Sequence, residues 1–371
     1  TPERLRFAFA SCQHYETGWF SAYRHMLKDE LDLVVHLGDY IYEGKAADGR
    51  VRRHNSDEIV SLADYRNRHA LYKTDEDLQE AHRVWPWLVT WDDHEFDNNY
   101  AGAISEEEGV EGQEFLKRRA AAYQAYYENM PLRAAARPKG PDLRLYRRVS
   151  FGKLARFHVL DTRQYRTDQP CGDGRKPVCP ETLSEKATLL GQAQEEWLHA
   201  GLENSPSTWN ILAQQVMMMP MNSSETGGEE FSMDQWSGYV RARERFTKFL
   251  AERQPSNPVV LTGDIHTNWA AEVTTDFRNP EAQVVAAEFV GTSITSGGDG
   301  ADMREREAKV LPNNPHIKFF NAQRGYVRCE VTPEAWKTDF QVLDRVTSKT
   351  NTISTRASFA LEAGSPRIQK S

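Results

Sequence analysis

Short apolar runs recur along the chain, and four of them stop at a cluster of polar residues. These runs are rich in β-branched or other apolar side chains, so each predicts a buried strand. With the polar residues that end them, the four runs occupy 5–12, 32–42, 84–100 and 258–266. Longer segments of helix-forming composition lie between them, at 57–84, 111–129, 191–204 and 237–254. A chain that alternates strands with helices in this way predicts an α/β core.

The rest of the pattern adds further strands and polar connections. Residues 143–161 alternate on either side of a Gly-Lys turn, which is typical of a β-hairpin. Three more segments have the composition of strands, at 284–291, 316–331 and 336–346. Polar or Gly-rich loops are expected at 44–56, 100–112, 166–185 and 221–235.

Potential metal ligands stand at the ends of the four strand-like runs. Gly38 and Gly263 each precede an aspartate, and glycine lets a backbone leave a strand sharply and approach a ligand closely. The strand ends of α/β proteins are where ligands bind. The candidate ligands are Cys12, Asp39, Tyr42, Asp93, Asp264 and His266. Because these residues must converge to form one metal centre, we expect a single catalytic domain over residues 1–371.

Longer motifs surround these positions and follow one another in order. They are Phe-Ala-Ser-Cys-Gln at 9–13, Gly-Asp-Tyr-Ile-Tyr-Glu at 38–43, Trp-Asp-Asp-His-Glu at 91–95, Leu-Asp-Thr-Arg-Gln-Tyr-Arg at 160–166, Trp-Asn-Ile-Leu-Ala-Gln-Gln at 209–215 and Phe-Val-Gly-Thr-Ser-Ile-Thr-Ser at 289–296. Together they resemble the PhoD-type alkaline phosphatases of the calcineurin-like metallophosphoesterase superfamily. The resemblance extends from about residue 7 to the C-terminus. It implies a two-sheet αββα sandwich.

The resemblance also implies metal-dependent hydrolysis of phosphate monoesters and diesters, with phosphate released for scavenging. In such enzymes, cations neutralise the phosphoryl oxygens and generate a hydroxide that attacks phosphorus in line. A phospholipase D-like diesterase is the alternative within the same family. Two other classes are a non-haem iron redox protein, which has no use for a carboxylate-rich calcium site, and a phosphate-binding module, which does not need His94 beside metal ligands.

The ligand types indicate which ions to expect. Carboxylates outnumber imidazoles, and oxygen-rich sites suit hard ions such as Ca²⁺. Cys12 and Tyr42 add a thiolate and a phenolate, which suit a trivalent ion. The expected assignment is Fe³⁺ at Cys12, Asp39, Tyr42 and His266, with one or two Ca²⁺ at Asp39, Asp93 and Asp264. Iron together with calcium is also what the resemblance implies.

Three residues are expected to act in catalysis: His94, Asp93 and Arg163. His94 is the candidate general acid or phosphate contact, because its neighbour Asp93 is assigned to a metal; its alternative is a structural role. Arg163 and Arg166 are expected to bind phosphate oxygens, or else to be solvated. Either Asn98 or Asn99 is expected to bind a second Ca²⁺ or the phosphate, and we place Asn98 among the metal ligands.

Composition narrows the partners. The 371-residue chain has a formal net charge of −8, which disfavours the attraction of nucleic acid. No apolar run approaches the ~20 residues that span a bilayer. The expected partner is therefore a phosphate-ester substrate, and the sequence predicts no particular oligomeric state.

The cysteines and the N-terminus bear on localisation. Cys171 and Cys179 flank a short Gly- and Pro-rich segment without a hydrophobic face, which predicts a disulfide loop; two free thiols or a weak metal site are the alternatives. Disulfides persist in oxidising compartments, so we expect a secreted or periplasmic protein. No signal peptide precedes Thr1, which we interpret as a processed or trimmed N-terminus.

Overall fold

The computed structural model describes residues 2–110 and 112–371. The α-helices are α1 (Ser21–Met26), α2 (Leu62–Tyr72), α3 (Glu76–Val84), α4 (Gly112–Asn129), α5 (Gln192–Glu203), α6 (Val240–Arg253) and α7 (Glu305–Val310). Within the described ranges, no helix is both long enough and apolar enough to span a membrane.

The strands are mostly short and lie between the helices. They are β1 (Leu5–Ala10), β2 (Leu33–His36), β3 (Trp87–Val89), β4 (Arg147–Phe151), β5 (Ala155–Val159), β6 (Arg175–Lys176), β7 (Trp209–Ala213), β8 (Phe231–Ser232), β9 (Pro258–Thr262), β10 (Asn268–Thr274), β11 (Val284–Val290), β12 (Gly300–Ala301), β13 (Ile317–Gln323), β14 (Gly325–Val331), β15 (Ala335–Leu343), β16 (Ile353–Glu362) and β17 (Gln369–Lys370).

Most strands belong to one of two mixed sheets. The first sheet has the order β17-β16-β15-β14-β1-β2-β3, and the second has the order β12-β13-β10-β11-β9-β7-β5-β4. In the first sheet β1, β2 and β3 are parallel, and in the second β11, β9, β7 and β5 are parallel. Parallel neighbours place their carboxyl ends at one edge of a sheet, which is where the candidate ligands follow.

The hydrophobic cores show how the layers stack. One core lies between the sheets, where the Phe7 and Phe157 rings meet at a centroid distance of 5.4 Å. A second core joins the first sheet to α1–α4, and a third joins the second sheet to α5 and α6. The layers therefore run helices, sheet, sheet, helices, and the predicted α/β sandwich is confirmed.

Helix ends follow from local capping chemistry. Ser61 and Asp64 form a reciprocal capping box at the start of α2. Asp75 caps α3 by accepting from the backbone N–H groups of Asp77 and Leu78. This second cap explains why the helical segment predicted at 57–84 is in fact two helices.

Other sequence predictions need correction as well. The single strand predicted at 316–331 is two strands in different sheets, because the chain crosses between the sheets at Arg324. Gly325 permits this crossing: its φ is +157°, and a Cβ there would lie 1.9 Å from the Gln341 carbonyl oxygen. Strands β10 and β16 were not predicted. The predicted start of the helix at Glu111 lies outside the described residues.

The predicted disulfide is present between Cys171 and Cys179. It closes a loop whose β6 pairs with β8, and the Met233 backbone N–H donates to the Gly174 carbonyl oxygen. The same loop brings the Asp173 carboxylate 3.5 Å from the Asn99 side-chain nitrogen. The crosslink thus fixes a loop beside the predicted metal centre. Cys329 is a buried free thiol.

Candidate metal centre

Three overlapping groups of side chains that could bind a metal ion lie beyond the strand ends. Within each group the ligand atoms are within 4.8 Å of one another. The groups are Cys12–Asp39–His266, Asp39–Asp93–His94 and Asp92–Asp93–Asp264. The first sheet supplies its members from beyond β1, β2 and β3, and the second sheet supplies Asp264 and His266 from beyond β9. Residues that are far apart in sequence therefore meet between the two sheets.

The backbone is left-handed at four of the candidate ligands. The φ angle is +58° at Cys12, +57° at Asp39, +65° at Asp264 and +57° at His266. Such angles are uncommon outside glycine and cost roughly 1–3 kcal/mol each unless the surroundings impose them. A hydrogen bond between the segments beyond β1 and β2 helps to hold one of them, because the Cys12 N–H donates to the Gly38 carbonyl oxygen at 3.0 Å. The fold itself holds the ligands in these conformations.

Gly38 lets the end of β2 pack directly against the segment after β3. Its φ is +113°, and a Cβ at this position would lie 2.5 Å from both the backbone nitrogen and the Cβ of Asp92. No other residue fits without moving the backbone. This contact sets Asp39 beside Asp93.

Several carboxylate oxygens in the centre are buried without a hydrogen-bond partner. They are Asp39 Oδ1, Asp92 Oδ2 and Asp93 Oδ1. Burying an ionised carboxylate without a partner is costly, and coordination to a cation removes that cost. Carboxylates placed with a thiol, a phenol and an imidazole therefore suit bound cations.

The pKa values of the carboxylates also favour a bound cation. Burial raises the pKa of Asp264 to about 6, although Arg163 opposes the change. Burial also raises the pKa of Asp39 well above its ordinary value. At Asp93, burial acts in the same direction, but Arg163 and His94 outweigh it and lower the pKa. Without a cation, it is therefore unfavourable for the carboxylates of the centre to be ionised all at the same time.

Tyr42 joins the thiol and imidazole side of the centre. Its hydroxyl donates to Asp39 Oδ2 at 2.9 Å and lies 3.3 Å from His266 Nε2. The same hydroxyl accepts from Ser296 Oγ at 2.6 Å. Burial, and then Asp39, raise the pKa values of both Cys12 and Tyr42. A bound cation would instead lower the pKa values of Cys12 and Tyr42.

His94 is held at the edge of the centre by a carboxylate. Its Nδ1 lies 2.7 Å from Glu43 Oε2, and its ring packs 4.1 Å from the Tyr42 ring. The side chain is 21% exposed, so the imidazole reaches solvent. Burial would lower the pKa of His94, but Glu43, followed by Asp39 and Asp93, outweighs burial and raises it well above the ordinary value.

Arg163 lies beneath the centre with no exposed side-chain surface. Its Nε donates to Asp92 Oδ1 at 2.5 Å, Nη1 to Asp234 Oδ1 at 2.8 Å and Nη2 to Asp264 Oδ1 at 3.2 Å. Arg166 is also buried and lies 3.0 Å from the same Asp234 oxygen. The expectation of solvated arginines is wrong for both residues. Arg163 is occupied by carboxylates, so its geometry suits positioning better than direct contact with phosphate.

The two asparagines occupy different places. The Asn98 side chain donates to Glu106. The Asn99 N–H donates to Asp93 Oδ2 at 2.8 Å, and Asn99 has a φ of +48°. Asn99 is therefore the more closely connected of the two to a candidate ligand.

Sequence reasoning missed three carboxylates of the centre. They are Glu43, Asp92 and Asp234. Glu43 and Asp92 belong to the motifs at 38–43 and 91–95, which could have pointed to them. Asp234 lies in a polar loop without a pattern, and only the tertiary structure brings it to Arg163.

Two cavities differ in their relation to the centre. The larger, about 800 Å³, lies between α6 and the loops at 275–278 and 313–316, and no candidate metal ligand lines it. The smaller, about 130 Å³, is lined by Gln235 and Ile265, which adjoin Asp264. The smaller crevice is therefore the one connected to the centre.

Comparison with known proteins identifies the family. The family model "PhoD-like phosphatase" matches residues 7–340. The chain belongs to this family. It is 52% identical over 372 residues to "Alkaline phosphatase D" of Bacillus subtilis (strain 168), and the match covers 99% of this chain and 64% of that protein. The chain thus spans less than two thirds of the length of this curated relative.

Structural comparison agrees with the sequence match. A solved structure titled "Structure of PhoD" superposes with a TM-score of 0.96 at 51% identity, covering 100% of this chain and 72% of the other. The resemblance drawn from the motifs is therefore confirmed. As a PhoD-like phosphatase family member, the chain carries the ligand groups described above within the matched region.

Proposed function

We propose that this protein hydrolyses phosphate esters, monoesters and diesters alike, in a metal-dependent reaction. The observation that carries the proposal is the convergence of the three ligand groups between the sheets, with His94 facing solvent at their edge. Membership in the PhoD-like phosphatase family supports the reaction class. The sandwich would then be of the calcineurin-like type, with residues 1–371 forming one catalytic domain.

The proposed ions are those that the ligand types favour. The Fe³⁺ ligands would be Cys12, Asp39, Tyr42 and His266, and the Ca²⁺ ligands would be Asp39, Asp93 and Asp264. A second Ca²⁺ would use Asn98 or Asn99, and the contacts of Asn99 favour it over Asn98. When bound, the cations would neutralise phosphoryl oxygens and lower the pKa of water.

The protein's own groups would prepare the remaining steps. Glu43 holds His94 through Nδ1, which leaves Nε2 to give a proton to the leaving oxygen. The Tyr42 ring restricts the imidazole from one face. Arg163 would orient Asp92, Asp234 and Asp264 from below as a positioning residue.

The role of His94 is tested by changing the leaving group. General acid catalysis contributes roughly 10²–10⁴-fold, and it matters most for poor leaving groups. His94→Ala should therefore reduce turnover of alkyl phosphates far more than that of nitrophenyl phosphate. His199→Gln, which alters a histidine stacked on Phe249 away from the centre, is the control. An equal loss on both esters with metal content unchanged would make His94 a phosphate-binding residue.

The ion assignment is tested by spectroscopy and metal analysis. A phenolate bound to Fe³⁺ absorbs visible light, so the purified protein should be coloured and Tyr42→Phe should bleach it. Tyr146→Phe, in a ring packed on Trp197, should leave the colour unchanged. Asp93→Ala should lose calcium and activity together. A colourless, active, iron-free wild type would refute the iron assignment.

We further propose that the protein acts outside the cytoplasm, in a secreted or periplasmic setting. The Cys171–Cys179 disulfide supports this, because such bonds persist in oxidising compartments. Assaying monoesters, diesters and choline phospholipids with the metal-loaded protein would define the substrate class and separate a phosphatase from a phospholipase D-like enzyme.

A further inference from the structure

A small crevice of about 130 Å³ borders the candidate metal centre. Its apolar wall consists of Met217, Met219, Met221, Ile265 and Trp269. Most of these residues form a small hydrophobic core of their own, apart from the three larger ones. Methionine adapts to varied ligand shapes and makes favourable contacts with aromatic rings.

The size of the crevice limits what it can hold. An apolar protein cavity of ~150 Å³ binds benzene. A volume of about 130 Å³ therefore accommodates one ring or a group of similar size. Trp269 gives the wall a fixed surface, because its Nε1 donates to Thr267 Oγ1 at 2.7 Å and its ring packs on Phe320.

The crevice is connected to the centre through two residues. Ile265 lines it and directly follows Asp264. Gln235 also lines it, and its Nε2 donates to Asp264 Oδ2 at 2.7 Å while its Oε1 accepts from the Met217 N–H. A group in the crevice would lie one side chain away from a candidate ligand.

One polar group inside the crevice has no partner. Glu307 on α7 is 6% exposed, and its Oε2 is buried without a hydrogen bond. A largely buried carboxylate with an unpaired oxygen is costly unless a donor reaches the group, and the Glu307 side chain lines the crevice. Arg175 and Arg304 are exposed and also line the crevice, so an anionic ester would be attracted rather than repelled.

We propose that this crevice binds the alcohol portion of the substrate: a compact apolar group of one ring, bearing a hydrogen-bond donor that Glu307 accepts. The proposal rests on the proposed function, since the phosphate of the same ester would occupy the metal centre. It names the substrate class as phosphate esters of small, ring-sized alcohols with a second hydroxyl group.

The first test compares 4-hydroxyphenyl phosphate with phenyl phosphate, whose leaving groups are similarly basic. A hydrogen bond to a buried carboxylate should favour the hydroxylated ester by roughly tenfold in kcat/KM. Glu307→Met should abolish this preference, and Glu307→Gln, which keeps a neutral acceptor, should reduce it. Glu305→Gln on the same helix, ion-paired with Lys309, should retain it. A wild type without the preference would overturn the role of Glu307.

A second variant tests occupancy by filling the crevice. Met221→Trp should lower kcat/KM for phenyl phosphate at least tenfold relative to that for methyl phosphate, which is too small to enter. An equal effect on both esters would overturn the placement of the alcohol group in the crevice.

A binding measurement separates this proposal from the proposed function. With methionine methyl groups labelled for NMR in protein loaded with diamagnetic Ga³⁺ in place of Fe³⁺, benzylphosphonate should shift Met217, Met219 and Met221, whereas ethylphosphonate should not. Met26 and Met130, in the core beside the first sheet, are internal controls. Absence of all ester hydrolysis would refute the proposed function; unshifted methyls in an enzyme that benzylphosphonate inhibits would refute the crevice alone.

Discussion

Arg163→Met removes the buried positive charge beneath the candidate metal centre and keeps an apolar stem of similar length. The wild-type guanidinium bonds to Asp92, Asp234 and Asp264 at 2.5, 2.8 and 3.2 Å. Asp93 is next, with an oxygen 3.7 Å away. Because Arg163 has no exposed surface, solvent would not replace these contacts.

The expected loss of stability is large. Removing one partner of a buried ion pair costs roughly 3–5 kcal/mol, because it leaves an uncompensated charge. We expect a loss of about that size in the metal-free protein at neutral pH, since the remaining carboxylates repel one another. In the metal-loaded protein the loss should be smaller, because cations would compensate for part of the missing charge.

The loss should also depend on pH. Although burial acts to raise the pKa of Asp93, Arg163 and His94 lower it below its ordinary value of 3.8. A depressed carboxyl pKa stabilises the fold above that ordinary value, and this stabilisation disappears as the pH falls through the folded-state pKa. The difference in the free energy of unfolding between the variant and the wild type should therefore become smaller as the pH is lowered.

Urea unfolding of both proteins, with and without metals, measures these effects. Arg66→Met, which breaks the exposed Arg66–Glu128 pair, is the matched control and should change little. A variant whose metal-free stability at neutral pH stays within about 1 kcal/mol of wild type would refute the reasoning.

Two further predictions concern stability away from the centre. His69 is fully buried without partners for either ring nitrogen, and burial lowers its pKa to about 3. The wild type should therefore lose stability as the pH falls below 6.5, the ordinary pKa of histidine. Relative to wild type, the free energy of unfolding of His69→Leu should be roughly 2 kcal/mol more favourable at pH 5 than at pH 7. Urea unfolding that shows the same pH dependence for both proteins would contradict this. Replacing Cys171 and Cys179 by serine should cost roughly 2–3 kcal/mol, measured by urea unfolding, and reductant should then have no further effect; a reductant-sensitive double variant would contradict it.

The strand ends were predictable because their signal is local. Each run of apolar residues stops at a glycine, an aspartate or a cysteine within a few positions, and a sheet brings such ends together. Cys12, Asp39 and Asp264 are found in this way. Their left-handed backbone angles were not predictable, since tertiary hydrogen bonds impose them against the intrinsic preference of non-glycine residues.

The supporting residues were harder to predict because they depend on distant packing. Asp234 reaches Arg163 across 71 residues of sequence and lies in a loop without a periodic pattern. The local sequence around Arg163 and Arg166 does not indicate whether these side chains are buried or exposed. Strand β10 was not predicted although it is fully buried. The crossing at Arg324 was also not predictable locally, because β13 before it and β14 after it pair with strands of different sheets.

The wide separation of the candidate ligands along the chain sets an order of events in biosynthesis. His266 is synthesised 254 residues after Cys12. No short segment holds a complete ligand set, so a metal ion cannot nucleate this fold as it can a zinc finger. If the candidate centre binds metal as proposed, folding would come first and metal loading second. Each bound ion would then stabilise the whole sandwich rather than one loop, and ion release would report on opening of the entire molecule.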